Sequence, residues 1–344
     1  MLKWFECVDR KRPGIISSRV RLVRNWNQYA FPSRLQQKES LEMLRRLELG
    51  LQNLGSLDGK HYKYYDLGEL GELEKKSLQE RRVFNSTIAS QKTPTGLILS
   101  EEEDTAIVLN GTDHIRIQML SPGLHLGELW TRCDQMDDYI NARFPYAFDK
   151  KYGYLTSFPT NVGTGMRASA VLHLPTLSMG KKFNGLVAEM GRFGASVRGV
   201  YGEGSENYGA LYEVSNQKTL GLTEKEILDL VNRVALQLLA QEKQVRRMTL
   251  EKHRLEYTDE AYKSYGVLKY ARRMSAKDAM IFLSQMMSGI ADGILKTRED
   301  CAVYRMMLGI QPANLQKASE RPLGKEELDE ARATYIRSEL PELL

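Results

Sequence analysis

Cysteine is nearly absent from the chain. Cys7, Cys133 and Cys301 are the three in 344 residues, odd in number and far apart, which excludes a disulfide framework and a zinc-finger spacing and points to a reducing, cytoplasmic setting. Histidine is scarce too, at five. His114, His125, His173 and His253 have no partners at a metal-ligand spacing, so no protein-held metal is expected and a structural role is preferred for each. No uninterrupted apolar run approaches the length of a membrane span, and the opening MLKWFECVDR is charged too early for a signal peptide. Basic patches interleaved with aromatics are missing, which argues against a nucleic-acid module. Internal repeats and low-complexity stretches are missing as well.

What remains is an ordinary globular balance, 42% hydrophobic and 27% charged, with a net charge of +5 that permits an anionic ligand. The length suits one large domain or two smaller ones. From about residue 14 to 220 the chain is mixed, with short alternating or β-branched stretches (TGLILS, TAIVLN, HIRIQML, SVRGVYG, ALYEVSN) between helical ones such as SLEMLRRLELGLQNL and LHLGELWTRCDQMDDYI. TGLILSEEEDTAIVLN reads as a hairpin around an acidic turn. VLNGTDHIRIQML, residues 108–120, reads as a strand with Ile115, Ile117 and Met119 on one face and His114, Arg116 and Gln118 on the other. Beyond about residue 222 the pattern is almost purely helical, opened by Thr223 and Glu226 as a capping box and later by Ser275 and Asp278. The fold class is therefore α+β: an antiparallel sheet with packed helices, followed by a helical domain. We divide the chain into residues 1–245 and 246–344.

Arginine carries the chemical signal. IISSRVRL sends Arg19 and Arg21 to one face of an extended backbone. Arg116 follows in DHIRI, Arg167 closes the glycine-rich turn of PTNVGTGMRAS, and Arg198 precedes the loop in VRGVYGEGSE. A guanidinium binds two phosphate oxygens at once and keeps its charge, so several converging forks would neutralise a triphosphate. Taken singly, each is equally readable as a surface salt-bridge residue.

Together, ISSRVRLVRN, NGTDHIRI, GYLTSFPTNVGTGMRAS and VRGVYGEGSENYGALYEVSNQKTLGLTEKEI stand in the order found in the phosphagen (guanidino) kinases, and the chain most resembles the bacterial protein-arginine kinases. The resemblance runs from about Pro13 to Gln241 and continues more loosely into the helical tail. It implies a phosphagen-kinase, glutamine-synthetase-like catalytic domain with a curved antiparallel sheet flanked by helices. It also implies Mg-ATP held by arginines. Ser17, Ser18, Arg19 and Arg21 match the family's first nucleotide segment. Arg116, Arg167 and Arg198 through Glu203 match the later ones, and Arg82 falls where the bacterial enzymes carry a histidine near the nucleotide.

On the acceptor side the chain departs from the pattern. A guanidinium is a poor nucleophile, and transfer to it needs a carboxylate that takes a proton and locks the group in line. Where the family reads Asn-Glu-Glu-Asp-His, this chain reads Asn110, Gly111, Thr112, Asp113, His114, so Thr112 stands in place of the base. Asp113, one position along a strand, aims to the opposite face unless Gly111 forms a bulge. Phe158 replaces the family's cysteine, cannot carry negative charge, and is expected to fill the acceptor pocket. Glu203 retains the other acceptor carboxylate. The implied function is a protein-arginine-kinase homologue that binds Mg-ATP but has lost or weakened transfer, acting as a pseudokinase or regulatory partner. The alternative is an active protein-arginine kinase relying on Glu203.

The tail carries Leu328, Asp329, Glu330, Ala331, Arg332, Ala333 where the family has Arg-Asp-x-x-Arg-Ala, so Asp329, Arg332 and Ala333 are candidates for phosphoarginine docking. An ordinary solvated helix explains KEELDEARATYIRSEL equally well. AMIFLSQMMSGIADGIL reads as core or subunit interface. The basic stretch 242–254 reads as a solvated helix face or linker. Expected partners are a second copy in a homodimer, arginine-phosphorylated proteins, and a protease-associated chaperone or activator.

Overall fold

A computed structural model describes residues 2–201 and 207–344. Ten strands occur in it: β1 (Ile15–Arg24), β2 (Tyr62–Asp66), β3 (Gly96–Ser100), β4 (Thr105–Leu109), β5 (Ile115–Pro122), β6 (Phe148–Asp149), β7 (Gly153–Tyr154), β8 (Met166–His173), β9 (Ala195–Gly199) and β10 (Leu211–Asn216). Eight of them form one open antiparallel sheet in the order β2-β3-β4-β5-β1-β8-β10-β9, and β6 and β7 make a separate hairpin. The α+β class and its helical second part are as the sequence implied.

Alternation along the central strands decides what each face meets. Val20 and Leu22 of β1 and Ile115, Ile117 and Met119 of β5 are buried in the main core. Against them pack the helices Gln37–Gly50 (Met43, Leu44, Leu47), Leu126–Asn141 (Leu129, Cys133, Met136, Ile140) and the first half of Glu224–Tyr270 (Ile227, Val231, Val234, Leu238), each apolar at a spacing of three or four residues. A buried pair, Arg24 to Asp137 at 2.8 Å, joins β1 to the second of these helices.

The opposite face is covered at two ends. Leu97, Leu99, Ala106 and Val108 of β3 and β4 pack beneath Leu78, Val83, Phe84 and Ile88. Leu120, Val171 and Leu211 pack with Trp4 and the C-terminal helices, through residues such as Met280, Leu283, Tyr304 and Met307. Between these apolar patches lie the positions that the alternation gives to arginine.

One expectation changes. Residues 108–120 are not one strand: β4 ends at Leu109, a bend runs from 110 to 114 closed by the Asn110 N–H donating to the His114 carbonyl at 2.7 Å, and β5 begins at Ile115. Asn110, at φ 55°, takes the left-handed conformation that asparagine tolerates. The division between residues 245 and 246 falls inside the single helix Glu224–Tyr270, whose backbone leaves helical geometry further on, at His253. Both capping motifs form: Glu226 N–H reaches Thr223 Oγ1 at 3.3 Å, and Asp278 N–H reaches Ser275 Oγ at 3.1 Å.

Candidate functional site

Register brings the arginines together. On β1, Arg21 stands opposite Arg167 of β8 on one side and Gln118 of β5 on the other. Arg19 stands opposite Ser169 and Leu120. Arg116 lies one alternation along β5, opposite Val23. Arg198 of β9 stands opposite Glu213 of β10. Arg82 comes from outside the sheet. Its backbone takes φ 69° at the end of the helix Glu72–Glu80, and Gln118 Nε2 holds its carbonyl at 2.8 Å. A left-handed turn at a non-glycine residue costs about 1 kcal/mol, and here it points Arg82 back over the sheet.

Glu213 binds two of these side chains. Arg19 Nη2 lies 2.9 and 2.8 Å from its two carboxylate oxygens, and Arg82 Nη2 also pairs with it. Burial pushes the Glu213 carboxyl up, but Arg19, Arg82 and Arg21 outweigh it and bring it down to about 2. Arg21, Arg116 and Arg167 make no hydrogen bond or ion pair with a described residue, although Arg116 is buried and the other two are half-buried. Burial, then the neighbouring Arg19 and Arg116, pulls Arg21 well below the usual guanidinium range. Burial and Arg19 bring Arg116 to about 10 despite Asp113. Burial lowers Arg167 as well. Two like charges about 5 Å apart at an effective dielectric near 20 repel by about 3 kcal/mol. A multivalent anion among these guanidinium groups would relieve such repulsion.

The remaining expected residues divide. Ser17 shares the arginine face of β1, whereas Ser18 lies on the core face and accepts the His125 N–H at 3.0 Å, ahead of the helix Leu126–Asn141. Arg198 is exposed at the rim. Glu203 lies outside the described residues. Thr112 sits half-buried in the 110–114 bend. Asp113 turns inward and is 1% exposed, and its Oδ1 accepts from Asn25 Nδ2 and Ser157 N–H, both at 2.7 Å. It is thus a tether rather than a substitute base, and no bulged strand brings it round. That same tether holds the segment carrying Phe158 beside the bend carrying Thr112.

Phe158 does not fill a pocket: its ring is 52% exposed, because it opens the short turn Pro159–Asn161 at the surface. His114 is structural. Its Nδ1 accepts the Trp26 N–H at 3.0 Å, its Nε2 lies 2.9 Å from the Ala30 carbonyl, and burial lowers its pKa, so the ring is held neutral. Among the described residues no group of His, Cys, Asp or Glu could hold a metal ion.

In the tail, Arg332 and Ala333 are buried rather than solvated. Arg332 donates to the Ile310 carbonyl at 3.0 Å, the Met274 carbonyl at 2.8 Å and Asp329 Oδ1 at 2.5 Å. Its Nε and Nη1 are thereby engaged within the domain, while Nη2 makes no hydrogen bond with a described residue. Glu213, the counter-ion of the cluster, was missed in the sequence. The signal was there in LYEVSN, where the alternation Leu211, Glu213, Ser215 places a carboxylate on the face that neighbouring strands fill with arginine.

Comparison with known proteins bears on the family and the fold. Residues 47–245 match the ATP:guanido phosphotransferase C-terminal catalytic domain, and residues 254–343 match the C-terminal domain of the protein-arginine kinase McsB. A protein-arginine kinase of Desulforamulus reducens is 38% identical over 347 residues, covering 99% of this chain and 96% of that one. One from Bacillus pumilus is 37% identical over 338 residues, covering 98% and 93%. Among solved structures, a lombricine kinase superposes with a TM-score of 0.60 at 23% identity, over 73% of this chain and 70% of its own. Substrate-free taurocyamine kinase from Schistosoma mansoni gives 0.58 at 21%, over 98% and 46%. These two establish the fold.

Proposed function

Because the chain belongs to the ATP:guanido phosphotransferase family, with protein-arginine kinases as near-full-length relatives, we propose that it binds Mg-ATP on the arginine face and has lost or weakened phosphoryl transfer to arginine. The observation that carries the reading is an asymmetry. The phosphate side presents Arg19, Arg21, Arg116, Arg167 and Arg198 on one face of the sheet, with Arg82 brought over it, while Thr112 and Phe158, on segments tied by the Asp113–Ser157 hydrogen bond, offer no carboxylate or thiolate to an acceptor. Mg2+ arrives on the nucleotide, where it neutralises part of the phosphate charge. Phosphate recognition needs charge and geometry, which the arginines supply. Turnover needs an aligned and deprotonated acceptor as well, and loss of a positioned base lowers rate by about 10²–10⁴.

The chain then acts as a regulatory partner of arginine-phosphorylated proteins or of a protease-associated chaperone, as a homodimer. An exposed stripe along the long helix, Val245, Met248, Leu255, Tyr262 and Tyr270, supports self-association.

Calorimetry with Mg-ATP tests the binding half, and acid-labile phosphate on arginine tests transfer. Binding without multiple turnover is expected, with transfer restored by Thr112→Glu together with Phe158→Cys. Rapid turnover abolished by Glu203→Ala would establish the active-kinase alternative. Failure of both native and restored forms to bind nucleotide would remove the cradle itself.

A further inference from the structure

A second cavity, of about 560 Å³, lies on the far side of the molecule's junction, between the middle of the long helix, the end of the helix Ala276–Ala291 and the entry to β1. The basic stretch 242–254 forms one wall of it. Lys243, Arg247 and Arg254, spaced by four and seven residues, all line the cavity and are exposed, and none makes a hydrogen bond or ion pair with a described residue.

The acids nearby are mostly engaged. Asp292 is held by Arg246, with Nε at 2.8 and 2.9 Å from its oxygens, and Glu242 accepts the N–H groups of Thr176 and Leu177 at 3.1 and 2.7 Å. Among the described lining residues, Glu251 is the acid left to oppose the rim cations. Ser288 is 7% exposed, lines the cavity, and its hydroxyl has no partner among the described residues. A buried hydroxyl without a partner is unusual in a folded chain.

We propose that this cavity is a binding site for a small multivalent oxyanion, a phosphate ester or pyrophosphate-like group, with Lys243, Arg247 and Arg254 on its charge and Ser288 donating to it. Forked and point cations around a hydroxyl donor form a phosphate-type donor set. The site is separate from the arginine face, but it sits where β1 begins and β8 ends, the strands that carry Arg19, Arg21 and Arg167. An occupant would also span the helix on both sides of residue 245, bridging the two parts of the chain.

Pyrophosphate titrated into the full chain by calorimetry is the test, because it also reaches the arginine face and so reports both sites. Two sites per chain are expected. Arg116→Ala should weaken one of them, and Arg247→Gln with Arg254→Gln the other, by about a hundredfold. Ser288→Ala should weaken the second site by about tenfold, yet leave the unliganded protein melting no lower than native, since the hydroxyl it removes has no partner to lose. Citrate in place of pyrophosphate separates a phosphate-selective site from a general one, and equal affinity for both would overturn the phosphate assignment. One site per chain in the native protein, or a second site indifferent to Arg247, Arg254 and Ser288, would overturn the proposal and leave the arginine-face reading untouched.

Discussion

Replacing Glu213 with glutamine removes a carboxylate that binds both Arg19 and Arg82 while keeping its size. The carboxyl falls from an ordinary 4.5 to about 2 in the folded protein, a preference for the charged form worth about 3 kcal/mol. Its sign follows from the depressed value. The contribution is complete above about pH 4.5 and is lost as pH falls through about 2. Glu213→Gln should therefore destabilise the nucleotide-free protein at neutral pH by about 3 kcal/mol, lowering the melting temperature by about 4 °C for a chain of this length, and should remove that part of its acid sensitivity.

Nucleotide reverses the comparison. With the carboxylate gone, Arg19 and Arg82 are released to the phosphates, so Mg-ATP should raise the melting temperature of the variant by more than it raises the native one. Scanning fluorimetry with and without Mg-ATP at pH 7, and of the unliganded proteins down to about pH 2.5, reads all of this. An unaltered unliganded melting point would refute the counter-ion role. A smaller ATP shift in the variant would show that Glu213 positions the arginines for nucleotide rather than standing in for it.

Arg21→Ala and Arg116→Ala should each weaken Mg-ATP binding by about ten- to a hundredfold by calorimetry while leaving the unliganded protein as stable as native or more so, because neither side chain has an ion pair with a described residue to lose and each repels its neighbours. Arg332→Ala should destabilise the helical domain by about 3–5 kcal/mol in denaturant unfolding, since it strands the Ile310 and Met274 carbonyls and the Asp329 carboxylate. His173, bonded to Ser284 and brought to about 3 first by burial and then by Arg246, must stay neutral in the fold. Stability should fall as pH drops from about 6.5 towards 3, and His173→Asn should flatten that limb of an acid titration.

Much of the site was legible because strands alternate. Knowing that Val20 and Leu22 are apolar is enough to put Arg19 and Arg21 on the other face, and the same rule places Arg116 across from Ile115 and Ile117. Where the backbone stopped being regular, the rule failed. Residues 110–114 form a bend, so the contrast between Thr112 and Asp113 could not be read from alternation, and Asp113 turned out to be held by Asn25 and Ser157. Ser18 was misplaced by treating a whole motif as one surface, when consecutive residues on β1 face opposite ways.

The order of amino acids by itself determined the local choices: which segments extend, which coil, where Thr223 and Ser275 start helices, and which side chains share a strand face. These depend on neighbours one to four residues away. Tertiary structure alone decided that Arg332 is buried, because its carbonyl partners at Ile310 and Met274 lie 22 and 58 positions off in the chain. It alone decided that Phe158 stands in solvent and that Glu213 serves Arg19, a residue 194 positions away. Burial and charge pairing depend on which distant surfaces meet, and that becomes fixed only when the whole sheet and its covering helices have closed around them.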